Sequence, residues 1–225
     1  ADATLSNAID FGTLGSRFGL TPEGSDGSVL VESDISTGFG WNAGIMIETS
    51  EATRFGITYR SAVYHRLEGD GTFDVPTEAQ FLTAGGTFTD SDVTAKMTLP
   101  DQVYFSAYHD INEQWAVLGD VTWTNWRHFS ELRVQFDNPA QPDAVTMAKW
   151  DSVFRFSLGA TVKPADEWII RFGGAYDQSP IPDEYRTPRI PTNDRIWAAV
   201  GVGYQATPDI MLDLSFMHVF VKDAP

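Results

Sequence analysis

Strict alternation of apolar and polar residues is the feature that most constrains the fold of this chain. In the segment 152–163, SVFRFSLGATVK, the side chains of Phe154 and Phe156 fall on one face of an extended strand, and Arg155 and Ser157 fall on the other. Successive side chains of a strand point to opposite sides of its sheet. The pattern therefore predicts a strand whose two faces meet different environments.

The same alternation recurs along most of the chain, and helical periodicity is almost absent. Repeated segments of this kind predict an all-β protein with antiparallel strands. We count about nine strands, at residues 39–48, 54–60, 92–99, 102–110, 115–124, 152–163, 167–177, 195–205 and 209–221.

The connections between these strands alternate in length. Tight turns are expected at 50–52, 111–113, 164–166 and 206–208, and long polar stretches lie at 66–91, 127–150 and 178–193. Short periplasmic turns alternating with long external loops are typical of an up-and-down barrel in an outer membrane. A Greek-key sandwich is not expected to keep that order.

The distribution of charge and aromatic residues also favours a transmembrane β-barrel. No run approaches the roughly 18 apolar residues that a spanning helix requires, and because no basic segment is followed by an apolar one, we expect no signal peptide within these residues. Trp115 and Trp123 lie on one face, as do Trp168 and Tyr176, at a spacing that suits the two aromatic girdles of a barrel. The opposite faces carry charged residues, which would be costly in a dry protein core but are tolerated in a water-filled lumen. These residues are Arg54, Arg60, Asp120, Arg155, Arg171, Arg195 and Asp213.

Composition excludes several other functions. A formal charge of −16 argues against a nucleic-acid partner, and the absence of Cys removes disulfides and thiolate metal sites. The four His residues have no partners at metal-ligand spacing, and no nucleophile elbow or phosphate-binding loop occurs. We therefore expect neither an enzyme nor a cofactor.

The segment 177–197, DQSPIPDEYRTPRIPTNDRIW, resembles the long-chain fatty acid transporter (FadL) family, which also includes aromatic-hydrocarbon channels. Further similar segments are GFGWNAGI at 38–45, TYRS at 58–61, LPD at 99–101, QWA at 114–116 and SLGATV at 157–162. The resemblance runs in family order from about residue 37 to 220.

This resemblance implies a fourteen-stranded barrel in the outer membrane of a Gram-negative bacterium, with an N-terminal hatch in its lumen. It implies passive uptake of long-chain fatty acids or similar hydrophobic compounds, with sideways release through the barrel wall. We expect this chain to be a fragment that lacks the hatch and the final strand or strands. Residues 1–36 are expected to belong to an extracellular loop, and 37–222 to the transmembrane barrel.

A fatty-acid site needs an apolar wall for the tail and a cation for the carboxylate. The cation candidates are Arg155 and Lys149, and pairing of Arg155 with Asp120 is the structural alternative. The apolar candidates on inward faces are Met46, Leu118, Trp197, Met211 and Met217, for which packing against a hatch is the alternative. The loop motif is expected to be structural, through Asp177, Ser179, Pro180, Pro182, Arg186, Pro191, Asp194 and Arg195.

Other functions remain open at this point. The transport alternative is an aromatic-hydrocarbon channel, which needs no charged partner. A second class is an adhesin or phage receptor that presents long surface loops, and a third is a secreted β-sandwich that binds lipid or sugar. If the protein is a transporter, its expected partners are a hydrophobic small molecule, outer-membrane lipid and lipopolysaccharide. We expect the full-length protein to be a monomer.

Overall fold

The computed structural model of the chain describes residues 2–19, 25–188 and 190–223, which form almost entirely antiparallel β-structure. No helix among these residues is long and apolar enough to cross a membrane. The α-helix is α1 (Phe11–Leu14), and 3-10 turns lie at Ser16–Phe18, Thr77–Gly85, Trp126–His128 and Asp183–Tyr185. The strands are β1 (Thr4–Asp10), β2 (Asp26–Ser33), β3 (Asn42–Ser50), β4 (Thr53–Arg60), β5 (Val63–Asp74), β6 (Ser91–Leu99), β7 (Gln102–Asp110), β8 (Trp115–Thr124), β9 (Glu131–Phe136), β10 (Ala144–Met147), β11 (Val153–Ala165), β12 (Trp168–Asp177), β13 (Arg195–Thr207) and β14 (Ile210–Val221).

Eight of these strands form one antiparallel sheet in the order β14-β13-β12-β11-β8-β7-β4-β3. The strands of this sheet that follow one another along the chain are also neighbours in the sheet. This is the up-and-down arrangement that the alternating connection lengths predicted. The four tight turns lie where they were expected, between β3 and β4, β7 and β8, β11 and β12, and β13 and β14.

The register of this sheet places the apolar residues in continuous rows on one face, which we call the apolar face. One row crosses all eight strands through Ile45, Ile57, Phe105, Val121, Phe156, Tyr176, Ile196 and Phe220. Large apolar side chains on this face are open to the surroundings: Leu158 is 76% exposed and Leu214 is 74% exposed. Such a continuous exposed apolar surface is not tolerated in water, and it suits contact with lipid.

Very few apolar side chains of the unit that contains this sheet are buried. Within the described residues of its unit, which spans 40–63, 99–130 and 148–225, the buried apolar side chains are only Ala116, Ala148, Pro180 and Ile181. A water-soluble β-sandwich of this size would bury rows of large side chains between two sheets. The predicted transmembrane β-barrel fold is therefore confirmed, and the sandwich alternative is wrong.

Aromatic residues border the apolar face at both ends of the strands. Near the tight turns, the Trp168 and Tyr204 rings lie 4.6 Å apart between centroids. Near the long connections, the Trp41 and Tyr59 rings lie 5.1 Å apart. This is the two-girdle arrangement of transmembrane barrels.

The other six strands form a second sheet, in the order β1-β2-β5-β6-β9-β10. It belongs to a separate unit made of residues 1–39, 64–98 and 131–147. This unit has a small apolar core of its own. The core consists of Leu67, Val93, Ala95 and Val134, with Leu5, Val31 and Phe136 packed against it.

This second sheet corrects three details of the sequence-based interpretation. The strand at 92–99 was counted with the barrel strands, but β6 pairs with β9 in the second sheet. The stretches 66–91 and 127–150, interpreted as loops, contain β5, β9 and β10. Strands β1 and β2 also lie within 1–36, so the nine strands counted from sequence are fewer than those observed. Alternation reveals a strand, but it does not reveal which strand is its partner.

Candidate functional site

The face opposite the apolar face, which we call the polar face, carries a cavity of about 620 Å³ across β8, β11, β12, β13 and β14. This volume lies within the range of small-molecule sites in proteins. The side chains that this face presents to the cavity include Leu118, Arg155, Trp197 and Met217. Four of the seven ligand-contact residues predicted from sequence are thus brought together in one place.

The cavity exists because the middle of one row of the polar face has almost no side chains. The row runs through Leu118, Gly159, Gly173, Ala199 and Met217 on five adjacent strands. A Cβ added to Gly173 would lie 3.0 Å from the carbonyl oxygen of Leu158, so the backbone itself forms the floor here. Leu118 and Met217 stand at the two sides. The result is an apolar depression in a face that is otherwise polar.

Sequence analysis did not single out Gly159, Gly173 and Ala199. The available signal was their shared position on the polar side of three alternating strands. Only the register shows that these three residues are neighbours, because pairing between strands determines which small residues coincide.

Arg155 lies at the end of this cavity nearest the long connections and is exposed. In the register it faces Thr122 on one side and Asp177 on the other. The Asp177 carboxylate, however, pairs with Arg195 at 3.2 Å. Within the part of the chain that the structure describes, Arg155 has no ion-pair partner.

The alternative pairing of Arg155 with Asp120 is wrong. Asp120 lies opposite Ser157, the next position along the polar face of β11, and makes no ion pair with Arg155. Diagonal neighbours on adjacent strands can pair, but the charged groups of these two residues do not come within ion-pair distance of each other. The guanidinium therefore faces the cavity free of a protein carboxylate.

At the opposite end of the cavity, Arg171 and Asp213 form an ion pair with 2.8 Å between Nη1 and Oδ1. They lie on β12 and β14, which β13 separates, so the two side chains reach each other across Gly203. A Cβ on Gly203 would lie 2.9 Å from the Asp213 carboxylate and 3.4 Å from the Arg171 guanidinium. The absence of a side chain at Gly203 thus permits the pair. Sequence alone placed both charges on the polar face without revealing their contact.

The other three predicted ligand contacts lie outside this cavity. Met211 sits beside the ion pair, since its methyl would lie 2.7 Å from a Cβ on Gly203. Met46 is on β3, at the far edge of the sheet from β14. Lys149 is in the connection before β11, with its Nζ 5.0 Å from the centroid of the Tyr185 ring. The Tyr185 side chain raises the pKa of Lys149.

The predicted loop motif forms a hydrogen-bonded network around Asp194. The Asp194 carboxylate accepts from the Ser179 backbone N–H at 2.9 Å and from the Tyr176 hydroxyl at 2.7 Å. The Ser179 N–H is the largest cause that lowers the pKa of Asp194, and the Tyr176 hydroxyl adds to it. Because these donors favour the ionised carboxylate, the loop is held most firmly when Asp194 is charged.

Arg186 links the two halves of the same loop. Its Nε donates to the Thr192 carbonyl at 2.9 Å, and its guanidinium pairs with Asp183 at 2.7 Å. The Arg186 side chain is only 8% exposed. The Pro180 carbonyl accepts from the Asp151 N–H at 2.8 Å, which ties the loop to the start of β11. Pro182 precedes the 3-10 turn, and Pro191 is exposed.

The arrangement can bind an amphipathic molecule without chemical change. Among the described residues, no group of three or more His, Asp or Glu side chains is placed to hold a metal ion. The cavity offers an apolar depression for a hydrocarbon and one free guanidinium for an anion, which are the two requirements of a fatty acid.

The family model described as "Outer membrane protein transport protein (OMPP1/FadL/TodX)" matches residues 3–225. The chain is 32% identical over 196 residues to a long-chain fatty acid transport protein of Escherichia coli O6:H1; the match covers 80% of this chain and 42% of that protein. The chain thus spans less than half the length of this relative.

Two solved structures share the fold. A FadL homologue of Pseudomonas aeruginosa superposes with a TM-score of 0.82 at 22% identity, covering 98% of this chain and 54% of the other. The Pseudomonas putida toluene transporter TodX superposes with a TM-score of 0.60 at 16% identity, covering 95% of this chain and 56% of the other. The family match and the fold thus agree along almost the entire chain.

Proposed function

The chain belongs to the OMPP1/FadL/TodX family of outer membrane transport proteins, and on that premise we propose that the protein takes up long-chain fatty acids and similar hydrophobic compounds by passive diffusion. The membrane is the outer membrane of a Gram-negative bacterium, as for the family's named members. Uptake of this kind requires a binding surface that is open to exchange, not a catalytic group.

The observation that carries the proposal is the free Arg155 guanidinium at one end of an apolar depression. A fatty acid bound here would place its carboxylate at Arg155 and its tail over Gly159, Gly173 and Ala199. Each methylene removed from water contributes about 0.8 kcal/mol, so the depression supplies most of the affinity. The carboxylate gains a charge-assisted hydrogen bond that a neutral hydrocarbon lacks.

Lys149 is the weaker carboxylate candidate, because its ammonium faces the Tyr185 ring and does not line this cavity. Met46 and Met211 would act as further apolar contacts along the polar face rather than as parts of the same site. We assign the carboxylate to Arg155 on this basis.

Aromatic-hydrocarbon uptake is the second candidate. The small side chains of the depression would accept a flat ring as readily as an alkyl chain, and the fold is shared with a protein named as a toluene transporter. For such a ligand, Arg155 would contribute nothing. The charge dependence of uptake therefore separates the two candidates.

We also propose that residues 1–36 belong to an extracellular segment. Within its own unit, β2 pairs with β5, which lies in the long connection between β4 and β7. We place outer-membrane lipid and lipopolysaccharide around the apolar face, and we propose that the full-length protein is a monomer.

The test is uptake by a strain that lacks its own fatty acid and hydrocarbon transporters, with and without the gene for this protein. Gene-dependent accumulation of radiolabelled oleate supports fatty acid transport. Accumulation of radiolabelled toluene without oleate would favour the hydrocarbon channel. If the gene changes the accumulation of neither compound, the transport proposal is wrong.

A further inference from the structure

We propose that the Arg171–Asp213 ion pair is a polar stop that limits the length of the hydrocarbon tail held in the cavity. This inference rests on the proposed function, since it concerns the ligand that Arg155 would anchor. It adds a specificity-determining element that binding of the carboxylate alone does not supply.

The distance between the two ends of the cavity follows from the register of β11 and β12. Arg171 lies opposite Thr161, and six positions separate Thr161 from Arg155 on β11. At about 3.3 Å per residue, the two ends lie roughly 20 Å apart along the strands. Both ends line the same cavity.

Between these ends, the side chains that line the cavity are apolar or small, and at the Arg171–Asp213 pair they are charged. The depression of Gly159, Gly173 and Ala199 occupies the middle, and Arg171 and Asp213 close the end nearest the tight turns. The pair bridges β12 and β14 over Gly203, so it crosses the path of a tail that follows β13. Both partners are about half exposed and are therefore hydrated.

A tail that reaches this pair must displace the water that hydrates its two charged groups, and the Met211 methyl beside the pair offers little apolar contact in return. Burial of a methylene raises affinity about fourfold while the wall is apolar, and the gain disappears where the neighbours are ions. An extended chain advances roughly 1.3 Å per carbon, given bonds of about 1.5 Å. The cavity therefore accommodates about 14 to 16 carbons from the carboxylate at Arg155.

The test measures binding of unbranched fatty acids from 8 to 20 carbons by equilibrium dialysis. The protein is purified from outer membranes and placed in lipid nanodiscs, and empty nanodiscs provide the reference. We expect affinity to rise about fourfold per methylene at short lengths and to level off near 14 to 16 carbons. A rise that continues unchanged to 20 carbons would overturn the proposal.

The double variant Arg171→Leu, Asp213→Leu replaces the stop by an apolar surface and leaves no unpaired charge. We expect it to increase the ratio of the affinities for 18 and 10 carbons by more than tenfold, because additional methylenes are then buried. The matched control is Arg66→Leu, Glu68→Leu, which removes a somewhat more exposed ion pair from the other sheet. An identical ratio in wild type and the stop variant would contradict the proposal.

The charge exchange Arg171→Asp, Asp213→Arg keeps a polar stop and should keep the length limit. It also keeps the proposal testable if the apolar variant fails to assemble. Loss of the limit in this variant would contradict the proposal. If wild-type protein binds no fatty acid of any length, the proposed function itself fails, and this outcome is distinct from binding without a length limit.

Discussion

Asp177 lies directly opposite Arg155 between β12 and β11, yet its carboxylate pairs with Arg195 on the other side. Asp177 thus lies between two arginines, Arg155 and Arg195, one on each neighbouring strand, and its carboxylate forms an ion pair with Arg195 alone. Among the described residues, the Arg155 guanidinium is therefore left without an ion-pair partner on the polar face.

Substitution of Arg155 by Gln should weaken fatty acid binding about tenfold, since a charge-assisted hydrogen bond contributes about 1.5 kcal/mol at a site that is partly exposed. Binding of the methyl ester of the same acid should not change. Both are measured by equilibrium dialysis. Arg60→Gln, on the polar face but outside the cavity, is the matched control. Equal loss in the two variants would show that general charge, not position, is responsible.

Ala199→Leu should fill the depression and reduce affinity for both charged and neutral hydrophobic ligands. Displacement of one or two methylenes from the apolar wall costs about four- to fifteenfold in affinity. Ala198→Leu is the control, because Ala198 is adjacent in sequence but belongs to the row of the apolar face that includes Leu158 and Gly174. If both variants reduce affinity equally, the ligand does not lie over Ala199.

Phe216→Arg should prevent insertion of the protein into the outer membrane. Phe216 is 66% exposed on the apolar face, and an arginine facing lipid there costs about 2–4 kcal/mol. Ser215→Arg, one residue away on the polar face, should be tolerated. The readout is the amount of protein in isolated outer membranes that shows heat-modifiable gel mobility. The reverse result would mean that the assignment of the two faces is wrong.

Asp194→Asn should loosen the loop 178–194, because the Ser179 N–H and the Tyr176 hydroxyl then donate to a neutral acceptor. We expect about tenfold faster hydrogen exchange at the Ser179 amide, equivalent to about 1.4 kcal/mol. Tyr176→Phe removes only one of the two bonds and should produce a smaller effect. An unchanged exchange rate in Asp194→Asn would show that this network does not hold the loop.

The same contact predicts a pH dependence. The pKa of Asp194 is lowered in the folded protein, so its contribution to stability is complete above the unfolded value of about 3.9 and is lost as pH falls through the folded value. The difference in Ser179 exchange between wild type and Asp194→Asn, compared at equal pH, should therefore shrink below about pH 4. A difference that persists unchanged to pH 2 would contradict this assignment.

The sequence by itself determined the strands of the barrel sheet, their tight turns and which face of each meets lipid. Those properties depend on the alternation of side chains with a period of two residues. The alternation is visible in Phe154, Arg155 and Phe156 without knowledge of the strands that pair with them. Leu118, Arg155, Trp197 and Met217 could be proposed as ligand contacts for the same reason, since their side of each strand was known.

The tertiary structure alone decided how these residues combine. The register between strands aligned Gly159, Gly173 and Ala199 into a depression, left Arg155 without a carboxylate and brought Arg171 to Asp213 over Gly203. It also assigned β6 to the second sheet rather than to the barrel. The physical reason is that backbone hydrogen bonds hold strands together whatever side chains they carry, so the choice of partner and register depends on packing across the whole sheet.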